Sequence, residues 1–300
     1  MAAGRTAWSL ERRRAFTLGL IPALAVLAVV TIGPALYLVV TSLTPLTPIR
    51  PGSGLDFSTP FANYRQALFT GSFDHSVWLQ LELSAITVGL QTLLGVALAL
   101  LLNSESRFMG ALRTGFLVPM VLPPIVVAII WKVLYTPDVS PVYAMLDAFG
   151  LRPGALITSP VWALPAIALA DTWEWFPFTM LMVLAALQMM PNEPLEAARI
   201  DGASAWQMFW HVRLPYIRPA LTVAVLFRLI DSIKAFPLIY VLTNGGPGRV
   251  TEVTNYYAFI QTFNFAYWGY GAAIATLMVA GVFGLSLLIA RLGAGGVEDA

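Results

Sequence analysis

Six long apolar blocks constrain this chain more than any other feature of its sequence. A helix that crosses the hydrocarbon core of a bilayer needs about 20 predominantly apolar residues, and runs of this length are the sequence signature of membrane spans. The sequence therefore predicts an all-α polytopic membrane protein with six transmembrane helices. The predicted spans cover about residues 16–43, 79–102, 112–134, 161–189, 214–242 and 268–292.

The composition excludes an ordinary soluble fold and several kinds of site. Only 11% of the residues are charged, whereas soluble domains carry about 25%. The net charge of +1 gives no sign of a nucleic-acid partner, and the absence of cysteine excludes disulfides and thiolate metal sites. The first block follows three arginines, Arg12 to Arg14, as a signal peptide would. It is longer than the roughly 7–15 apolar residues of a signal peptide, so we favour a membrane helix.

The orientation follows from the distribution of Lys and Arg among the loops, because cytoplasmic loops carry the excess. With the N-terminus inside, the inner segments hold 10 of these residues and the outer segments hold 4. Both termini are therefore predicted to be cytoplasmic, with tails at 1–15 and 293–300 and a first external loop at 44–78.

The loop between the fourth and fifth blocks is amphipathic and too polar to span a membrane. Residues 193–200 and 203–212 each predict a short helix, and Gly202 between them permits a sharp turn. The second helix exposes Trp206, Phe209 and Trp210 on one side. Such a face suits either a helix that rests on lipid headgroups or a docking element for a cytoplasmic partner, and the pattern alone favours neither.

The same loop carries the motif E-A-A-x-x-D-G-A, followed by Leu214 and Pro215. It resembles the coupling loop of permease subunits of ATP-binding-cassette (ABC) importers. The resemblance implies the type I ABC importer permease fold, with a five-helix core at 79–292 and a coupling loop at 191–213 that docks on a separate ATPase. The matching positions are Glu196, Ala197, Ala198, Asp201 and Gly202.

A second resemblance narrows the family. The stretch Leu-Thr-Asn-Gly-Gly-Pro-Gly at 242–248 predicts a structural turn rather than a phosphate-binding loop, because it falls outside the membrane. It resembles the carbohydrate-uptake branch of these permeases. That implies a bacterial inner-membrane importer with a second permease subunit, two ATP-binding subunits that hold ATP and Mg, and an external solute-binding protein. No cofactor is expected in this chain.

Polar groups within the spans are candidates for the transport site, because they are costly in a bilayer. Arg228 and Asp231 are three residues apart, as are Asp171 and Glu174, so each pair shares a helix face. The first pair predicts either a ligand site or internal neutralisation of charge. On the fourth span, Phe178 could join the two carboxylates on one face that suits a sugar, although its aromatic residues also fit a lipid-facing belt.

The resemblance to the sugar-contacting subunit of maltose-type transporters carries contact positions onto this sequence. It implies substrate contacts in the third, fourth and fifth spans, and transport of a di- or oligosaccharide by alternating access. Prolines at 119, 123, 124 and 237 permit kinks, which would either help such a movement or serve as static packing features. The implied contacts are Asp171, Glu174, Trp175, Phe178, Arg228, Ser232, Met120 and Pro124.

Other functions remain as alternatives at this point. The chain lacks the G-x-x-x-x-G-K-[ST] loop of ATPases. His75 and His211 fall on opposite sides of the membrane, which excludes a shared metal site or catalytic triad. A glycerol-phosphate permease and an ion-coupled secondary transporter that uses the intramembrane carboxylates remain as rivals.

Overall fold

The computed structural model describes residues 3–104, 106–151 and 154–294, and every regular element within these ranges is helical. Two compact units form, one from Met1–Gly71 with Ile260–Leu277 and one from Ser72–Phe259 with Met278–Ala300. Parts of the predicted tails, at 1–2 and 295–300, lie outside the described residues, as does Arg152 of the predicted external segments.

The first unit contains α1 (Ala3–Ser42) and α2 (Ala62–Arg65). Asn63 donates hydrogen bonds to the carbonyl oxygens of Ser42 and Thr44 at 2.9 and 2.8 Å. These bonds tie α2 to the end of α1 and to the first residues of the loop that follows α1. The helix begins well before the predicted start at residue 16, because the sequence upstream contains no proline and Arg and Glu are good helix formers.

The second unit contains most of the remaining helices. Its first long helix begins ahead of the predicted start at residue 79, with Asp74 in its first turn, where a negative charge is favourable. The first long helix therefore includes residues 73–78, which the sequence assigns to the predicted external loop. The helices of this unit are α3 (Phe73–Leu102), α4 (Arg107–Phe116), α5 (Val118–Val121), α6 (Pro124–Tyr135), α7 (Pro141–Ala148), α8 (Ala163–Gln188), α9 (Glu193–Ile200), α10 (Ala205–Met208), α11 (Leu214–Ser232), α12 (Pro237–Leu242) and α13 (Thr254–Phe259). The last helix of the chain is α14 (Trp268–Ala294).

The core of the second unit lies where α3, α8 and α11 pack together. Gly95 of α3 permits the close approach of α8, since a Cβ atom there would lie 2.7 Å from Cβ of Thr179 and 2.9 Å from the backbone nitrogen of Met180. This contact holds the polar middle of α8 between α3 and α11. The buried apolar side chains around it are Ala99, Leu102, Phe176, Met180, Val183, Leu184, Leu187 and Ile217.

Two of the predicted spans are broken helices. The third bends by 97° between Arg107–Val121 and Pro124–Tyr135. Leu122, with ψ 142°, is extended there, as residues before a proline tend to be. In the fifth span α11 ends at Ser232 and α12 starts at Pro237. The prolines thus mark real interruptions of the helices, which are sharper than the predicted kinks.

By length and hydropathy, three described helices qualify as membrane spans, or four if the bent pair is one span. The three are Gly19–Ser42, Phe73–Leu102 and Trp268–Leu288. Helices α8 and α11 have 26 and 19 residues, which suits a hydrocarbon core of about 30 Å at 1.5 Å per residue. Their charged residues keep their hydropathy low, so these two crossings stay predictions.

Candidate functional site

Arg228 is the centre of a buried polar network in the second unit. Its Nε donates to Oε1 of Gln91 at 2.9 Å, and its Nη1 donates to Oδ2 of Asp231 at 2.6 Å. Its Nη2 lies 3.5 Å from Oδ2 of Asp171, an oxygen that also accepts a bond of 2.8 Å from Gln91. The guanidinium carbon stands 4.5 Å from the centre of the Trp175 ring. All three guanidinium nitrogens therefore have polar partners, and one face of the group lies over an aromatic ring.

This network joins three helices, α3, α8 and α11, through their polar side chains. The sequence predicts the contact between Arg228 and Asp231, which are one helical turn apart. It gives no indication that Asp171 and Gln91 complete the set, because those contacts depend on how the helices pack. A guanidinium with two carboxylates and an amide around it is well suited to a low-dielectric interior, where an unpaired charge is costly.

Only one end of the network reaches the surface of the unit. The side chain of Asp231 is 46% exposed, whereas those of Arg228 and Asp171 are 3% and 10% exposed. A ligand that approaches this face therefore meets the Asp231 carboxylate before the guanidinium.

Two of the three helices of this network, α8 and α11, also carry three aromatic rings, which we call the aromatic surface: Trp175, Phe178 and Phe227. Phe178 of α8 and Phe227 of α11 meet edge to face, with ring centres 6.3 Å apart. Phe227 is exposed, and the other two are partly exposed. Since Phe227 is one helical turn from Asp231, a carboxylate and an apolar ring lie on the same side of α11. Sugars bind to such surfaces through their hydroxyls and their C–H faces.

Glu174 is the predicted contact residue that the structure buries most deeply, at 1% exposure. Its Oε1 has no hydrogen-bond partner among the described residues. Asp171 is also buried, so the two carboxylates lie within the unit and do not share an open face with Phe178. Glu174 is within electrostatic range of Asp171 and Arg228.

Ser232 is buried at the end of α11, where it ties that helix to α3. Its Oγ lies 2.8 Å from Oγ of Ser84, and its carbonyl oxygen accepts a bond of 3.1 Å from Gln80. The side-chain amide oxygen of Gln80 accepts a hydrogen bond of 3.2 Å from the Thr254 hydroxyl. These bonds fix the backbone next to the interruption of the fifth span.

The two remaining predicted contacts lie at the interruption of the third span. Met120 is partly buried on α5, which packs against α8. Pro124 is the exposed first residue of α6. Neither contributes to the hydrogen bonds of Arg228, so the structure separates them from the network that Asp171, Trp175 and Arg228 share.

The predicted coupling loop is a pair of short helices with a defined turn. Helix α9 has the predicted bounds of 193–200. Gly202 follows it with φ +75°, a conformation that favours glycine. The N–H of Ala203 donates to Ala198 at 2.9 Å, and that of Gly202 donates to Arg199 at 3.1 Å. This is the Schellman arrangement that ends helices, and it fixes the direction in which the chain leaves α9.

The second helix of the loop differs from the prediction. It begins at Ala205, where Ser204 and Gln207 form a capping box with bonds of 2.8 and 3.3 Å. It then continues through a wider π-helical turn, Phe209–Arg213, into α11. No breaker separates the two, and Pro215 lies in the first turn of α11, where proline is tolerated. The loop is therefore connected directly to the helix that carries Arg228.

The exposed face of the coupling loop carries large apolar side chains. Ile200 is 87% exposed and Trp206 is 69% exposed. The rings of Trp206, Phe209 and Trp210 contact one another, with centres 5.3 to 6.2 Å apart. Glu196 and Asp201 of the motif are also exposed, so the loop presents both polar and apolar groups.

The Asn-Gly-Gly segment is a turn packed against α13. Asn244 and Gly245 have φ of +51° and +82°, and the hydroxyl of Tyr256 donates to the carbonyl oxygen of Asn244 at 2.9 Å. A Cβ atom on Gly245 would lie 2.5 Å from the Tyr256 ring. Glycine is therefore required here for packing, as a structural turn predicts.

The two histidines have separate surroundings. Nε2 of His75 lies 3.3 Å from the carbonyl oxygen of Arg249, and Nδ1 of His211 lies 3.0 Å from that of Gln207. Each ring nitrogen therefore contacts a backbone carbonyl oxygen, which for His211 belongs to its own helical segment and for His75 to a distant part of the chain.

Two residues of the site, Gln91 and Phe227, were missing from the sequence-based candidates. Asp231 was a charged candidate on the fifth span, although it was not among the implied contacts. Gln91 is an amide in the middle of the predicted second span, which indicates that it has a hydrogen-bond partner but does not identify that partner. A buried amide needs a hydrogen-bond partner, which here is Arg228 with Asp171. Phe227 gave no signal, since a phenylalanine in a membrane helix is ordinary.

Comparison with known proteins gives consistent results. Residues 91–294 match the family model described as "Binding-protein-dependent transport system inner membrane component". The chain is 36% identical over 231 residues to the trehalose/maltose transport system permease protein MalF of Thermococcus litoralis, which covers 77% of this chain and 78% of that protein. It is 32% identical over 282 residues to the trehalose transport system permease protein SugA of Mycobacterium tuberculosis H37Rv, with coverage of 93% and 87%.

Among solved structures, the fold resembles a chain of a bacterial alginate ABC transporter crystallised with an alginate pentasaccharide-bound periplasmic protein. The TM-score is 0.81 at 20% identity, with 94% of each chain covered.

Proposed function

Because the chain belongs to the family of binding-protein-dependent transport system inner membrane components, we propose that it is the permease subunit of an ATP-driven importer of a di- or oligosaccharide. The observation that carries this proposal is the exposed loop of α9 and α10, in which a fixed glycine turn joins the two helices and α10 continues directly into the helix of Arg228.

That connection gives the loop a mechanical role. A partner that binds the exposed apolar face around Trp206 and moves it will also move α11, because no flexible segment lies between α10 and α11. We assign the partner as one of two separate ATP-binding subunits, which bind ATP and Mg and hydrolyse the nucleotide. The motif residues Glu196, Ala197, Ala198, Asp201 and Gly202 form the docking element.

The other partners are a second permease subunit and an extracytoplasmic solute-binding protein. The protein lies in the bacterial inner membrane, with both termini in the cytoplasm, so that the coupling loop faces the ATPase. The distribution of Lys and Arg supports this orientation.

The substrate is a sugar that binds at the aromatic surface and the exposed end of the Arg228 network. Hydroxyl groups donate to the Asp231 carboxylate, and the C–H faces of the rings pack on Trp175, Phe178 and Phe227. The named substrates of the relatives, trehalose and maltose, are molecules of this kind. Asp171, Gln91 and Glu174 set the position of the guanidinium from within.

Alternating access requires parts of the spans to move against one another. The third span is interrupted at Leu122 and Pro123, and the fifth at residues 233–236. Helices α6 and α12, which follow these two interruptions, pack against each other. Together, α6 and α12 can tilt relative to α8 and α11 and so open the site to one side of the membrane at a time.

The test is ATP-dependent uptake by the complete assembly in proteoliposomes. Trehalose, maltose, longer oligosaccharides and glycerol phosphate serve as solutes. Gly202→Pro removes the N–H that bonds to Arg199 and forces φ away from +75°. We expect it to reduce sugar uptake by about tenfold or more, while nucleotide binding by the ATPase persists.

Gly150→Pro is a matched control. Gly150 ends α7 with φ +78°, and its N–H and that of Leu151 make the same two Schellman bonds, at 2.9 Å each. Gly150 lies in a predicted external segment, so this variant should leave coupling intact. Equal losses in both variants would refute a coupling role for the loop. Uptake by the isolated chain down an ion gradient would support the secondary transporter instead, and preferred uptake of glycerol phosphate would replace the sugar.

A further inference from the structure

We infer that Asp231 makes this site select neutral sugars and reject anionic ones, because its carboxylate occupies the edge of Arg228 that an anionic sugar would bind. The inference rests on the proposed function and names the substrate class more narrowly.

An arginine in a transport site is normally a sign of anion recognition. The guanidinium group matches carboxylate, sulfonate and phosphate groups with paired, charge-assisted hydrogen bonds. Arg228 would supply such a site if one of its edges were free. In this structure Nη1, Nη2 and Nε are directed at Asp231, Asp171 and Gln91.

The edge nearest the surface is the one that Asp231 fills. The contact from Nη1 to Oδ2 is 2.6 Å, the shortest that this guanidinium makes, and the Asp231 side chain is 46% exposed. The side chain of Arg228 is 3% exposed. An incoming anion therefore meets a carboxylate of the protein at the position where it would need a cation.

The charged groups around Arg228 also disfavour an anionic ligand. Arg228 is balanced by Asp171 and Asp231, its two ion-pair partners. The exposed Lys234, three residues after Asp231 and just past the end of α11, carries an opposing positive charge. A neutral sugar avoids the repulsion, and it offers hydroxyl donors to the free lone pairs of Asp231.

The test measures direct binding to the purified complete assembly in nanodiscs, without the solute-binding protein, so that the selectivity belongs to the membrane site. Trehalose is the neutral probe, and a disaccharide of mannuronic acid is the anionic probe. Binding is followed by calorimetry and by tryptophan fluorescence. We expect the wild-type assembly to bind trehalose at least about tenfold more tightly than the anionic disaccharide.

Asp231→Asn keeps the size of the side chain and removes its charge, which leaves Nη1 of Arg228 facing the surface without an anion. We expect the ratio of the two affinities to shift by about tenfold or more toward the anionic disaccharide. Lys234→Gln should shift the ratio in the opposite direction. Asp138→Asn, at an exposed carboxylate after α6, should not change it.

Two results would overturn the inference while sugar transport stands: equal or tighter binding of the anionic disaccharide by the wild type, or an unchanged ratio in Asp231→Asn. The first needs no variant, so it decides the matter even if Asp231→Asn fails to assemble. A wild-type assembly that binds neither sugar and shows no ATP-dependent uptake would instead refute the proposed function.

Discussion

At the scale of single residues, the site depends on one buried cation and its partners. The sequence was sufficient to mark Arg228, Asp231, Asp171 and Glu174, because charged groups in membrane helices stand out. It could not distinguish a ligand site from internal neutralisation. The structure contains elements of both, since Asp171 and Glu174 are buried while Asp231 remains at the surface. Which charge stays exposed depends on helix packing, and no single-helix pattern encodes it.

The buried position of Arg228 leads to a stability prediction. Arg228→Met removes the cation that pairs with Asp171 and Asp231 and leaves the buried Asp171 without this charge partner. We expect the free energy of unfolding to fall by about 3–5 kcal/mol. The measurement is thermal unfolding of the purified protein in detergent.

Arg249→Met is the matched control for that substitution. Arg249 also pairs with an acid three residues away, Glu252, at 2.5 Å, but its side chain is 45% exposed. An exposed ion pair contributes about 0–1 kcal/mol, so this loss should be small. Adding Asp171→Asn to Arg228→Met should recover part of the stability. Equal losses for the two arginines would show that the network is not a buried charge cluster.

At the scale of helices, hydropathy predicts where the helices lie better than it predicts where they are interrupted. All six apolar blocks correspond to helical segments, and α9 has the predicted bounds. The interruptions at Leu122 and at 233–236 were predicted only as kinks at nearby prolines. A proline shows where a helix can break, whereas the size of the bend depends on what the two halves pack against.

The contact of α3 with α8 yields the next prediction. Gly95→Ala would place a Cβ atom 2.7 Å from Thr179 and 2.9 Å from the backbone of Met180, which requires the two helices to separate. We expect a loss of about 1–3 kcal/mol in unfolding free energy. We also expect reduced uptake, because the polar middle of α8 would shift relative to Gln91.

Gly89→Ala separates that effect from the change in helix propensity. Gly89 lies on the same helix, is exposed, and has no atom within 4 Å of the position of its Cβ. Alanine favours a helix over glycine by about 1 kcal/mol, so this variant should be neutral or more stable. If both variants behaved alike in thermal unfolding, close packing at Gly95 would not be what determines stability there.

At the scale of the whole molecule, orientation connects the fold with the proposed function. The coupling loop can reach an ATPase only if it faces the cytoplasm, and the excess of Lys and Arg in the predicted inner segments predicts that it does. The helices themselves are compatible with either orientation, since hydropathy has no direction. Topology is therefore the property on which the ATPase, the binding protein and the direction of transport all depend.

The absence of cysteine from the chain makes that orientation directly measurable, because each introduced cysteine is the only thiol. Ser58→Cys and Thr158→Cys lie at exposed positions of predicted external segments, and Glu193→Cys lies at an exposed position of the coupling loop. In intact spheroplasts, a membrane-impermeant maleimide should label residues 58 and 158 but not residue 193. Permeabilisation should expose residue 193 as well. The reverse pattern would place the coupling loop outside the cell, beyond the reach of ATP, and an ATP-driven importer would then be ruled out whatever the sugar-binding measurements gave.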